Sequence, residues 1–104
     1  MGKRVFLATK DLLFRSKLAG AVSAASAEVA PDEAACDVAV VDVESPGAAD
    51  RIRALAGRQI PVLAYGSHVR ADLLRAARDA GAVSVPNSQV ERRLVALLTP
   101  HSAG

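Results

Sequence analysis

The stretch DVAVVDVESPG, residues 37–47, decides the fold. Four apolar residues in succession lead into Asp42, and a turn follows at Pro46 and Gly47. A strand that is apolar without alternation is buried on both faces, which is typical of a parallel sheet covered by helices on each side. In such sheets, function lies outside the carboxyl ends of the strands. The pattern therefore predicts that Asp42 lies at the functional edge of a central strand.

The rest of the chain alternates between strand and helix patterns. Short apolar runs predict strands at residues 4–8, 27–30, 37–42, 60–65 and 82–85. Helical spacing predicts four buried faces: Phe14, Leu18, Ala21, Val22 and Ala25; Ile52, Leu55 and Ala56; Leu73, Ala76, Ala77 and Ala80; Val90, Leu94 and Leu97. The first of these helices is expected to begin near Asp11, and Ser88 to Glu91 has the spacing of a capping box. Residues 31–36 leave room for only one helical turn, and the alternation as a whole predicts an α/β domain with right-handed crossovers.

Length and composition limit the class of protein. The 104 residues are enough for one compact domain, expected at residues 1–98 with a frayed tail at 99–104. Only Phe6, Phe14 and Tyr65 are aromatic, so the core must consist of Val, Leu, Ile and Ala. No apolar run approaches the roughly 20 residues of a membrane-spanning helix. The single cysteine excludes an internal disulfide, and a reducing cytoplasm is the expected location.

The residues that arrive at the functional edge can be identified from the strand pattern. They are Thr9, Lys10 and Asp11 after the first strand, Asp42, Glu44 and Ser45 after the third, Gly66, Ser67 and His68 after the fourth, and Asn87 and Ser88 after the fifth. Because the carboxyl ends of parallel strands meet at one edge, we expect these residues to surround Asp42.

From Lys3 to Leu98 the chain resembles a response-regulator receiver domain, the flavodoxin-like module of two-component signalling. Residues 37–47 are similar to the signature of that family, which places Asp42 at the phospho-acceptor position. IPVLAYGSH (60–68) resembles the fourth strand and its exit, and AARDAGA (76–82) resembles the helix end before the fifth strand. The resemblance implies a doubly wound, five-stranded parallel sheet in the order 2-1-3-4-5, with the helix between strands 2 and 3 shortened.

The resemblance also implies which groups phosphorylation would need. Receivers bind Mg²⁺ through two adjacent carboxylates after the first strand, but the matched residues here are Thr9 and Lys10, which cannot replace hard carboxylate ligands. The Thr or Ser that follows the fourth strand is matched by Gly66, and no Lys precedes Pro86 after the fifth strand. The aromatic residue usual in the fifth strand is also absent. These departures imply a pseudo-receiver that keeps Asp42 without efficient phosphorylation.

We therefore interpret the chain as a stand-alone receiver-like module that binds another protein, or itself as a homodimer, and is not an enzyme. Two alternatives stay open. One is a single-domain response regulator phosphorylated at Asp42, and the other is a small metal- or anion-binding enzyme that uses Asp42 and His68. Lys10 has two interpretations as well: its ammonium neutralises Asp42 in place of Mg²⁺, or both side chains point to water.

Charge is distributed unevenly along the chain. Residues 1–50 carry five basic and eight acidic side chains, whereas residues 51–104 carry eight arginines and three acids. Such asymmetry marks either a face for an acidic partner or nucleic acid, or arginines that simply solvate the helices. Nucleic-acid binding is not expected, because aromatic stacking residues are scarce and no helix-turn-helix follows.

One face of the expected fold is the candidate for partner binding. In receivers, contacts with partners commonly involve the fourth helix, fifth strand and fifth helix. The charged residues at the matching positions are Arg75, Arg78, Asp79, Arg92 and Arg93. Leu74 lies off the stripe of Leu73 and Ala77, so we expect an exposed leucine that either anchors a partner or lies on a solvated face without a role.

Cofactors and metals are not expected. The segment LATKDLLF (7–14) contains no glycine, so the glycine-rich loop that holds a nucleotide phosphate is missing after the first strand. His68 with Asp42 and Glu44 is only a weak signal for a transition metal, because it offers a single imidazole.

Overall fold

The computed structural model describes residues 2–99, which form a five-stranded parallel sheet in the order β2-β1-β3-β4-β5. The strands are β1 (Arg4–Ala8), β2 (Glu28–Val29), β3 (Val38–Asp42), β4 (Val62–Gly66) and β5 (Val83–Pro86). The helices are α1 (Leu12–Ala24), α2 (Ala48–Gly57), α3 (Ala71–Asp79) and α4 (Val90–Leu98). A single 3-10 turn at Glu33–Ala35 connects β2 to β3. The predicted flavodoxin-like class, its strand order and the shortened connection are confirmed.

Strand β3 is the centre of the molecule, since all five of its residues are buried. It pairs with β1 on one side and with β4 on the other, and Asp42 lies directly opposite Tyr65 of β4. A strand buried on both faces can be satisfied only when helices cover the sheet on each side. This constraint explains why its apolar run does not alternate with polar residues.

The two faces of the sheet are covered by different kinds of core. One face packs against α1 and α4 through branched side chains that include Leu18, Val22 and Leu94. The other face packs against α2 and α3 and is rich in alanine, with Ile52 and Leu55 as its largest fully buried side chains. Alanine keeps these helices close to the sheet, which explains how a chain with so few aromatic residues fills its interior.

Helix α1 begins where the sequence predicts. The side chain of Asp11 accepts hydrogen bonds from the backbone N–H groups of Leu13 (2.9 Å) and Phe14 (3.2 Å). A capping carboxylate satisfies amide groups that the helix itself leaves unpaired. The cap therefore fixes the orientation of Asp11 at the carboxyl edge of the sheet.

The start and the buried face of α4 differ from the prediction. The capping box between Ser88 and Glu91 does not form, because Asn87–Gln89 is a 3-10 turn and the α-helix begins only at Val90, without a side-chain cap. Its buried residues are Val90, Leu94 and Leu98, so the prediction of a buried Leu97 was wrong. Leu97 is 42% exposed because it faces the free edge of β5, where no further strand covers it.

The expected exposed leucine on α3 is also a correction. Leu74 is half-buried and packs against the alanine-rich core, as Leu73 does, whereas Ala76 on the predicted face is exposed. The backbone carbonyl of Leu74 accepts a hydrogen bond from the Ser84 hydroxyl at 2.8 Å, which holds the helix close to β5. Leu74 is therefore part of the packing between helix and sheet and is not available as an exposed anchor.

The carboxyl end of α4 is capped by Thr99, whose N–H and hydroxyl both donate to the carbonyl of Val95, at 2.9 Å and 2.7 Å. The rest of the predicted frayed tail, residues 100–104, lies outside the described residues. Among residues 2–99, the structure contains no helix of the length and apolarity needed to cross a bilayer.

Two leucines on α4 provide a matched test of this packing. Leu94→Ala should lower the free energy of unfolding by about 2–5 kcal/mol, since Leu94 is fully buried and the change leaves a cavity. Leu97→Ala, the same change on an exposed side chain, should cost about 0.5 kcal/mol or less. Urea unfolding followed by circular dichroism measures both changes in stability. Equal losses would contradict the finding that α4 buries Leu94 and exposes Leu97.

Candidate functional site

Asp42 is the only buried charged residue among residues 2–99, with 8% of its surface exposed. Its Oδ1 accepts a hydrogen bond from the backbone N–H of Glu44 at 2.9 Å, and its carbonyl accepts one from the Ser45 hydroxyl at 2.6 Å. A buried carboxylate is costly unless hydrogen bonds compensate for the lost water. The turn after β3 supplies one such bond, from the N–H of Glu44, and the bond from Ser45 to the backbone carbonyl holds the turn in place.

A pocket of about 160 Å³ opens beside Asp42. It is lined by Lys10, Asp11, Phe14, Asp42, Glu44, Tyr65 and Asn87. Four of the ten residues that the sequence placed around Asp42 line the pocket with it, namely Lys10, Asp11, Glu44 and Asn87. Thr9 lies at the margin, where its hydroxyl donates to the carbonyl of Asp11 at 3.2 Å.

Two of the predicted site residues lie elsewhere. The Ser67 hydroxyl accepts a long hydrogen bond from the N–H of Val69, at 3.4 Å, in the loop that leads to α3. His68 is exposed in the same loop, and neither residue lines the pocket. Strand β4 extends to Gly66, one residue further than predicted, and Ser67 and His68 lie in the turn between it and α3. An enzyme that uses Asp42 and His68 together is therefore not supported by the geometry.

The interpretation of Lys10 as a neutralising partner of Asp42 was also wrong. Lys10 lines the same pocket but is exposed, and the salt bridges of residues 2–99 do not include a pair between Lys10 and Asp42. Glu44, in contrast, pairs with Arg70 across 3.5 Å. The negative charge of Asp42 is thus compensated by a backbone N–H and not by a cation.

Tyr65 and Phe14 are site residues that sequence reasoning missed. Their rings stack with centroids 4.7 Å apart and planes inclined by 13°, and both rings line the pocket. Tyr65 is 3% exposed, and its hydroxyl is the one fully buried side-chain N or O atom in residues 2–99 without a hydrogen-bond partner. The available signal was the pairing of parallel strands, because the predicted ends of the third and fourth strands already place residues 42 and 65 side by side.

The environment of Tyr65 favours its protonated form. The pKa of Tyr65 is raised to about 12, mainly by burial and to a smaller extent by the negative charges of Asp42 and Asp11. The nearby Thr9 hydroxyl acts in the opposite direction. It donates to the carbonyl of Asp11 at 3.2 Å and does not form a hydrogen bond of good geometry with the Tyr65 hydroxyl. The hydroxyl therefore lies in a buried position of negative potential beside Asp42.

Gly66 is matched by the resemblance to a Thr or Ser, and packing gives a reason for the glycine. A Cβ atom at this position would collide with the side chain of Val43, which lies in the turn after β3. Val43 is buried, so it cannot move aside without disturbing the core. A hydroxyl-bearing residue therefore does not fit after β4 in this packing.

The donor set does not suit a divalent cation. Within the described part of the chain, no three His, Cys, Asp or Glu side chains converge as metal ligands. Asp11 caps α1 through its Oδ1, and Glu44 is paired with Arg70. Mg²⁺ prefers several carboxylate and water oxygens in an octahedral arrangement, which these residues do not assemble.

Tyr65 offers a direct test, because it is the only tyrosine and the chain has no tryptophan. We expect the ultraviolet absorbance of tyrosinate to appear with a midpoint near pH 12 instead of 10. Below pH 10 the phenol is protonated in both the folded and unfolded states. Above it the unfolded chain releases its proton first, so stability should fall as the pH rises from about 10 to about 12. Titration near pH 10 with circular dichroism unchanged would contradict a buried hydroxyl.

No family model matches the sequence, and no curated protein matches it. Among solved structures, the chain is similar to NtrX from Brucella abortus, with a TM-score of 0.75 and 16% identity over 93% of this chain. It spans 26% of that NtrX chain. The receiver domain of the TMAO respiratory system response regulator TorR matches with a TM-score of 0.74 and 14% identity, over 91% of this chain and 92% of that domain. The response regulator ChrA of a heme-sensing two-component system matches with a TM-score of 0.67 and 28% identity, over 90% of this chain and 54% of the ChrA chain. This chain therefore has the fold of a response-regulator receiver domain.

Proposed function

We propose that this chain is a signalling module that binds a partner protein and is not efficiently phosphorylated at Asp42. The observation that carries the proposal is the state of Asp42 itself: it is buried, hydrogen-bonded to the turn, and without a second and third ligand for a metal. Similarity to TorR and ChrA supports a signalling role, because each of them is a response regulator or part of one.

Phosphoryl transfer to an aspartate places demands that this pocket does not meet. The transferring group carries several negative charges, which a metal ion and fixed donors must stabilise. The pocket holds three carboxylates, Asp11, Asp42 and Glu44, against the single cation Lys10. The buried Val85 lies beside Tyr65 in β5, so the strand end that faces the pocket offers no cation either. The alternative of a response regulator phosphorylated at Asp42 is therefore the less favoured one.

The proposal does not assign a catalytic activity. Among residues 2–99, Asp42 has no partner imidazole, since His68 lies outside the pocket. The Ser45 hydroxyl donates to the Asp42 carbonyl, and the Tyr65 hydroxyl is held protonated. A nucleophile and a base within hydrogen-bond reach of each other are the signature of covalent catalysis, and the pocket does not contain that arrangement.

The face formed by α3, β5 and α4 is the proposed surface for the partner. Arg75, Arg78, Asp79, Arg92 and Arg93 are all exposed on it. None of its four arginines forms a salt bridge with a carboxylate of residues 2–99. Exposed arginines without internal partners are available to an acidic surface.

The apolar contact on this face comes from the edge of β5 and not from Leu74. A groove of about 250 Å³ runs between β4, β5 and α4, where Val83 is 51% exposed and Leu97 is 42% exposed. Arg93 lies at the side of the groove. An apolar groove beside an arginine is a typical centre of a binding surface.

The charges favour an acidic partner over a homodimer. A symmetric dimer through this face would bring the same arginines against each other, because both subunits use one patch. Of the three acids on α3 and α4, Asp72 pairs with Arg70 and Glu91 pairs with Lys17, which leaves Asp79 as the one without a salt bridge within residues 2–99. We therefore propose a partner segment that carries carboxylates around an apolar side chain.

Phosphorylation is the first test. Incubation with acetyl phosphate and Mg²⁺ should add a phosphoryl group to only a small fraction of the protein molecules. The reason is that Thr9 and Lys10 occupy the two positions where receivers have their Mg²⁺-binding carboxylates. Intact-mass spectrometry after acid quench measures that fraction. Substantial addition of one phosphoryl group that disappears in Asp42→Asn would contradict the proposal.

The partner surface is the second test. Leu97→Glu should leave the fold intact, since the side chain is exposed, and should weaken partner binding about tenfold, which equals roughly 1.4 kcal/mol. Arg53→Glu on α2 is the control, because Arg53 is exposed on another face and should not affect binding. Affinity capture with quantitative mass spectrometry compares the variants. A folded Leu97→Glu that captures as much as the parent would exclude this surface.

Sedimentation velocity separates the two kinds of partner. The parent chain should sediment as a monomer, since like charges oppose self-association through the arginine-rich face. A concentration-dependent dimer that Leu97→Glu abolishes would show that the partner is a second copy of the chain.

A further inference from the structure

The pocket beside Asp42 contains an unused hydrogen-bonding group that the proposed function does not explain. The Tyr65 hydroxyl is fully buried, lines the pocket with its ring against Phe14, and has no hydrogen-bond partner. Native proteins rarely leave a buried hydroxyl unpaired, because its lost contacts with water are not repaid. A group that enters the pocket beside the ring can satisfy the hydroxyl once neighbouring side chains shift, because the oxygen itself is closed to water in this structure.

The charges around this hydroxyl indicate the sign of that group. Asp11, Asp42 and Glu44 line the pocket, and the cations that oppose them are Lys10, which is exposed, and Arg70, which pairs with Glu44 at 3.5 Å. The hydrogen bonds of residues 2–99 use only one carboxylate oxygen of Asp42, namely Oδ1, so Oδ2 remains able to accept. An anion would meet repulsion here, whereas a cation would meet acceptors.

The geometry selects among cations. Mg²⁺ lacks its ligand set, as described above, and a protonated phenol is a poor ligand for it. A guanidinium group prefers to pair with both oxygens of one carboxylate, but Oδ1 of Asp42 is already bonded to the N–H of Glu44. A primary ammonium group is a compact charge with three rotatable donors. It suits separate single acceptors such as Asp42 Oδ2, the Tyr65 oxygen and the side-chain oxygen of Asn87.

We propose that this pocket binds a primary ammonium group, supplied by a lysine side chain of a partner protein. The inference deepens the proposed function and rests on it only in that Asp42 remains unphosphorylated. The ammonium would provide the counter-charge that Lys10 does not provide in this structure.

An exposed pair of leucines favours a lysine of a protein over a free amine. Leu12 and Leu13 follow Asp11 in the first turn of α1 and are 79% and 84% exposed. Large apolar side chains exposed next to a polar pocket can contact the aliphatic stem of a lysine and its neighbours in a peptide. A free amine would gain nothing from them.

Tyrosine fluorescence tests the proposal at neutral pH, because Tyr65 is the only tyrosine and the chain has no tryptophan. The probes are ethylammonium and an acetylated, amidated Leu-Lys-Leu tripeptide, and the same tripeptide with its ammonium acetylated is the uncharged control. Both charged probes should change the fluorescence saturably, the tripeptide at lower concentration, and the uncharged control should not. No saturable response to either charged probe would overturn the proposal, since a water molecule would then suffice at the hydroxyl.

Variants separate the contacts. Asp42→Asn and Tyr65→Phe should each weaken binding about tenfold with the fold preserved, while Asp50→Asn, on the exposed face of α2, should not affect it. Amide NMR shifts at Glu44 and Asn87 provide the readout that Tyr65→Phe still permits. Equal affinity of Asp42→Asn and the parent would overturn the site.

The source of the ammonium is decided by the leucines. The double change Leu12→Ser and Leu13→Ser should lower the affinity for the tripeptide and leave the affinity for ethylammonium as it is. An unchanged affinity for the tripeptide would overturn the assignment to a protein lysine. These measurements contain neither Mg²⁺ nor a phosphoryl donor. Their failure would therefore leave the proposal of an unphosphorylated Asp42 as it stands, and phosphorylation of Asp42 would not by itself explain a saturable response to ammonium.

Discussion

The burial of one carboxylate at the end of an otherwise apolar central strand is the constraint on which the rest of this site depends. Asp42 gives up most of its contact with water, and the N–H of Glu44 compensates for the loss at 2.9 Å. That bond exists because the chain turns immediately after β3, and the Ser45 hydroxyl closes the turn on the Asp42 carbonyl. The same turn leads into α2 and places Glu44 in the lining of the pocket.

The neighbours of this carboxylate are arranged so that the pocket is packed by side chains on two sides. Tyr65 and Phe14 stack on the face of α1 and α4, and Val43 occupies the space that a side chain at residue 66 would need. This packing supports the proposal that Asp42 remains a hydrogen-bonded carboxylate. The free edge of β5 is the opposite case, because its apolar groove and unpaired arginines lie open.

The extent to which sequence predicts this molecule follows from the strength of each local signal. Continuous apolar strands and the carboxylate at Asp11 predicted the sheet and the start of α1, because burial on two faces and helix capping leave few alternatives. Which of Leu97 and Leu98 is buried depends on where α4 meets the free edge of β5. The helical spacing of apolar residues carries no information about the position of that edge. Leu74 was misplaced for the same reason, since small alanines let α3 approach the sheet closely enough to bury a residue beside the main stripe. The site was found through strand ends, but the orphaned hydroxyl of Tyr65 became visible only in three dimensions.

The central claim is that the edge of the sheet at Asp42 does not assemble a site for Mg²⁺, and a titration with Mg²⁺ followed by amide NMR tests it most directly. We expect no saturable amide shifts at residues 9–11 or 42–44 at millimolar Mg²⁺. A phosphorylatable receiver domain measured in parallel is the positive control. Saturable shifts confined to these residues, abolished in Asp42→Asn, would contradict it.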